Sequence, residues 1–150
     1  MKDRFGTAWL GRVMTAVALV ILSSTGVEAQ KEFTKSTGKL TTRDATKKVF
    51  VFETLSSGLC QSQPNPTLTI FPDGRQEFTA TVRSTGAKDT YQAYLRYYNA
   101  AGSFLSEVKW WQYMMEKPNT WSAWKVSAKA DPNLAKKFKD VRQVAFNYKC

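Results

Sequence analysis

The chain has 150 residues, a net charge of +10, two cysteines and no histidine. Without histidine, Ser-His-Asp or Cys-His catalysis is excluded, and so is any His-ligated metal site. The length fits one domain.

Residues 1–29 have the three parts of a secretory signal in order. Lys2 and Arg4 supply positive charge, Val13 to Leu22 is an apolar run, and "STGVEAQ" places the small residues Val27 and Ala29 before a cleavage point at Gln30. The apolar run is about ten residues, well short of the roughly 20 that span a bilayer, and Arg12 blocks its extension upstream. The expectation is a secreted or periplasmic protein with a cleaved signal and no transmembrane segment in the mature chain. Loss of Lys2, Arg4 and Arg12 with Asp3 and Glu28 leaves a charge near +9. Cys60 and Cys150 both survive cleavage, and an even pair in an exported chain reads as one disulfide.

Residues 30–48 are rich in Lys and Thr, show no sustained apolar period, and read as a basic flexible leader. The domain proper is expected over 49–150. "KVFVFETL" has strand composition. In "TLTIFPDGRQEFTATV", Leu68 and Ile70 alternate before a "PDG" turn, and Phe78, Ala80 and Val82 alternate after it. Two longer strands flank "NAAG", and "WSAWKVSAK" and "VRQVAFNYK" follow. Between these last two, Asp131 can cap a short helical turn with Pro132 at its first position and Leu134, Phe138 and Val141 on one face. About seven short strands separated by turn signals predict an all-β antiparallel sandwich, with a small closed barrel as the alternative.

The stretch "VKWWQYMM" (108–115) is aromatic on both faces of its strand. A tight hairpin centred on Ala100 and Ala101 would set Tyr97 opposite Phe104, Ala93 opposite Val108 and Tyr91 opposite Trp110, an apolar core face that also takes Met114. The same register gathers Tyr94, Arg96, Tyr98, Lys109, Trp111 and Tyr113 on the outer face. Rings interleaved with cations can stack on a sugar and bond its hydroxyl or acidic groups, and they can equally serve a protein contact. On strand 121–128, Trp124 with Val126 and Ala128 reads as core.

The order "FVFET…GLC", "TLTIFPDGRQEFTATVRST", "DTYQAYLRYYNAAGSFL" and a terminal aromatic strand ending in cysteine resembles a family of small secreted bacterial β domains of unknown function. The resemblance spans roughly residues 49–150, and its most specific parts are Cys60, "FPDG" and Cys150. It departs at Lys149, where such domains tend to place histidine. It implies a shared fold and brings no assigned activity.

No catalytic constellation can be assembled. Glu53, Glu77, Asp89, Glu107 and Glu116 lie in or beside strands, where a carboxylate pair for glycoside hydrolysis is conceivable, but surface charge accounts for Glu77 and Glu107. Asp73 and Gly74 read as turn geometry and not as a calcium loop. No cofactor or metal is expected. The sequence therefore points to a non-catalytic binding domain for glycans or anionic cell-envelope polymers, with a secreted protein-interaction factor of effector, toxin-associated or inhibitor type as the alternative. Export and the lack of a recognised motif argue against nucleic acid.

Overall fold

The computed structural model describes residues 32–86 and 89–150, apart from the side chains of Trp110 and Trp111. The expected signal peptide, 1–29, lies outside the described residues. The described residues form ten strands: β1 (Thr34–Arg43), β2 (Lys48–Val51), β3 (Ser56–Ser57), β4 (Cys60–Ser62), β5 (Thr67–Ile70), β6 (Gln76–Ser84), β7 (Asp89–Tyr98), β8 (Phe104–Met115), β9 (Ser122–Ala128) and β10 (Gln143–Lys149). The helix α1 (Pro132–Lys137) and a 3₁₀ turn (Phe138–Asp140) precede β10. All pairings are antiparallel, in the order β3-β4-β6-β5-β2-β1-β10-β7-β8, with β9 along the other side of β6.

The all-β architecture is thus present, but its two layers are halves of one open sheet joined through β1. Residues 34–38 of β1 pair with β10, and residues 39–43 pair with β2. Their composition reads as a flexible leader, yet they form the strand that links the halves. Their only buried position is Gly38, so no apolar alternation marks the strand in the sequence. Gly38 sits where β1 changes partner, and a β-carbon there would lie 2.8 Å from the Phe52 ring. Only a residue without a side chain lets that ring close over the backbone.

The halves meet over an aromatic core. Phe78 of β6 stacks on Phe146 of β10 at 4.8 Å, and Phe52 meets Phe146 at 5.4 Å. Leu68, Ile70, Phe78, Ala80 and Val82 all point inward, as their alternation across the "PDG" turn predicts. Trp124 is fully buried against Phe78 and Tyr91. Asp131 caps α1 by accepting from the Asn133 and Leu134 amides, and Leu134, Phe138 and Val141 close one end of the core. Cys60 and Cys150 form a disulfide across a separation of 90 residues, tying the chain's last residue to β4.

The β7–β8 hairpin departs from the tight turn expected. Asn99 donates its amide to the Ser103 carbonyl, and its Oδ1 accepts from the Ala101 and Ser103 amides. Gly102 takes φ 78°, which adds a residue to the loop. Tyr98 therefore pairs with Phe104, and two further irregularities leave Leu95 opposite Val108 and Tyr91 opposite Tyr113. Each one-residue slip exchanges the faces of β8. Phe104 and Met114, both expected in the core, are exposed, while Tyr113 and Met115 turn inward.

Candidate functional site

The outer face of β1, β10, β7 and β8 is ordered by register into rows. Lys35, Asn147 and Tyr94 align in one row, and Thr37, Ala145, Arg96 and Glu107 in the next. Between Ala93–Trp111 and Leu95–Val108, two residues of β8, Lys109 and Trp110, oppose Tyr94 alone. The extra residue interrupts the ladder beside Tyr94, and there a groove of about 270 Å³ opens, lined by Phe33, Tyr94, Arg96, Glu107 and Lys109.

The contacts in the groove alternate rings and charges. Phe33 meets Tyr94 edge-on at 5.0 Å. The Lys149 ammonium lies 4.9 Å from the Phe33 ring centre, and the Arg96 guanidinium 5.2 Å from that of Tyr94. Arg96 Nε donates to Glu107 Oε2 at 2.7 Å, and this bond raises the Arg96 pKa above its ordinary value. The pair sets the guanidinium's position, while its exposure leaves it little net strength. Glu107 is the single carboxylate in the lining, beside Arg96 and Lys109. The groove can therefore receive a flat or acidic group, and among the described residues its lining offers one carboxylate.

Of the residues expected on this face, Tyr94, Arg96 and Lys109 are brought together in the groove. Tyr98 lies further along, edge-on to Phe104 at 6.2 Å. Tyr113 does not belong to this face. It packs on the core and stacks on Trp124 at 5.9 Å, because the hairpin loop and the irregularities in β8 changed its parity. Trp111 pairs through its backbone with Ala93, and its side chain lies outside the described residues. Phe33 was missed because it precedes a strand read as leader. The signal for it was the Thr-rich, β-branched run "TKSTGKLTT" that follows. Among the described residues, no helix is long and apolar enough to cross a membrane.

Comparison with protein-family models, with curated proteins and with solved structures finds no match for this chain.

Proposed function

We propose that this is a secreted, non-catalytic binding domain that takes glycans or anionic cell-envelope polymers on the outer face of β1, β10, β7 and β8. The observation that carries the reading is the groove in which Phe33 and Tyr94 stand among cations. Of the two ligand classes, the acidic polymer is favoured. Arg96 and Lys109 line the groove with Glu107 as the one opposing charge of the described lining, and Lys149 and Arg96 already lie over ring faces that a neutral sugar would stack on. The disulfide is consistent with an oxidising compartment.

The test titrates the purified protein with a neutral polysaccharide and with a carboxylated or sulfated one, each at low and high salt. Binding of the acidic polymer that weakens steeply with salt is expected. Lys109→Gln is expected to weaken it further without changing stability. Salt-resistant binding of the neutral polysaccharide would move the reading to sugar stacking. Silence with both would remove it.

A further inference from the structure

A second cleft lies away from the outer groove and shares no residue with it. The β1–β2 turn, Pro72 and the 3₁₀ turn enclose about 540 Å³, within the range of small-ligand sites. Four cations line it, Arg43, Lys48, Lys139 and Arg142, against Asp44 and Asp140. Lys48 forms part of the wall. It is 2% exposed, and its Nζ donates to the carbonyls of Phe138, Lys139 and Val141 at 2.5, 3.0 and 2.8 Å. Those bonds use all three of its protons, so Lys48 contributes charge and no further donor.

The remaining groups are differently placed. The side chains of Arg43 and Lys139 make no hydrogen bond or ion pair among the described residues. Arg142 spends Nη1 on the carbonyls of Lys139 and Val141, which leaves Nη2 and Nε. Asp44 accepts on Oδ1 from Thr46 Oγ1 and from the amides of Thr46 and Lys47, which orients it toward its own turn while its charge still faces the cleft. Asp44 and Asp140 offset two of the four cationic charges, which leaves the lining net positive. Arg43 and Arg142 also push the Lys48 pKa down, after burial, so their like charges are felt inside the cleft.

The geometry points to an oxyanion site: the cleft binds a tetrahedral phosphate or sulfate group through Arg43, Lys139 and Arg142. Such a group would accept the unspent donors and relieve repulsion among cations that the fold holds together. A carboxylate or chloride supplies fewer acceptors for the same fork of donors.

Calorimetric titration of the full protein at pH 7 with inorganic phosphate, sulfate and chloride at equal ionic strength tests this directly. One saturable phosphate or sulfate site per chain is expected. Arg43→Gln, whose side chain supports nothing in the fold, is expected to weaken it about tenfold. Asp140→Asn is expected to tighten it. Glucose 6-phosphate in a parallel titration separates sources: binding of inorganic phosphate alone identifies a free anion, and binding of both identifies the terminal group of a larger molecule. Phosphate and sulfate acting no more strongly than chloride would overturn the site. Phosphate binding indifferent to Arg43→Gln would do so as well, placing the anion on other cations of the chain.

Discussion

Tyr113 of β8 and Trp124 of β9 stack at 5.9 Å with their planes 22° apart, and this contact bridges the two edge strands of the open sheet. No ladder joins β8 to β9 among the described residues, so side chains do there what backbone hydrogen bonds do elsewhere. Trp124 also stacks on Tyr91 at 5.3 Å, which ties the contact to the strand beside β8.

Tyr113→Ala should therefore cost about 2 kcal/mol, less than a fully buried aromatic because the ring is only half-buried. Tyr94→Ala, on the outer face, should cost under about 1 kcal/mol. Urea unfolding of the two variants measures the difference. Equal costs would contradict the inward placement of Tyr113.

Gly38 carries the junction between the halves. Gly38→Val should destabilise by about 1–3 kcal/mol through overpacking against the Phe52 ring. Pairing it with Phe52→Leu should recover part of the loss. Thermal unfolding of the single and double variants reads the coupling, and strict additivity would count against the contact.

Stability should rise as pH increases from about 8 toward 10. Burial pushes the Lys48 pKa down to about 8, with Arg142 and Arg43 adding to the effect. The unfolded lysine titrates near 10.4, so in this window the unfolded chain binds more protons and deprotonation favours the fold. Above about 10 the slope should reverse, because burial raises the pKa of Tyr91, Tyr97 and Tyr148, while unfolded tyrosines ionise there. Lys48→Met should abolish the rise and cost about 2 kcal/mol at pH 7, since three carbonyls lose their donor. Urea midpoints across pH 7–11 for both proteins check the sign.

Reduction of Cys60–Cys150 should lower stability by about 4–5 kcal/mol in the chain-entropy account, given the loop of 90 residues that the bridge closes. Unfolding with and without a reductant, against a Cys60→Ser/Cys150→Ser control, gives the value. A loss under about 1 kcal/mol would show that β10 pairing and the buried rings of Phe146 and Tyr148 hold the chain's last residues without the bridge.

Much of the molecule is readable from residue pattern. Alternation across "PDG" identifies the β5–β6 core face, Asp131 and Pro132 mark the start of α1, and an even pair of cysteines marks the bridge. For the groove, parity within β7 suffices to put Tyr94 and Arg96 on one face. The pattern fails on β8, where face assignment depends on register, and register depends on a loop that Gly102 lengthens and on irregularities that leave no compositional trace. It fails again on β1, whose strand state rests on neighbours on both sides and on the ring over Gly38 rather than on apolar residues of its own.

The sequence by itself determined the all-β class, the helical turn, the disulfide and the presence of aromatic and basic residues on β7, because each is written in local periodicity, capping or count. Tertiary structure alone decided that Phe33 joins Tyr94, that Tyr113 leaves the outer face, and that Arg43, Lys139 and Arg142 share a cleft. The physical reason is that strand pairing brings together residues far apart in the chain, and a single inserted residue in a ladder redirects every side chain beyond it.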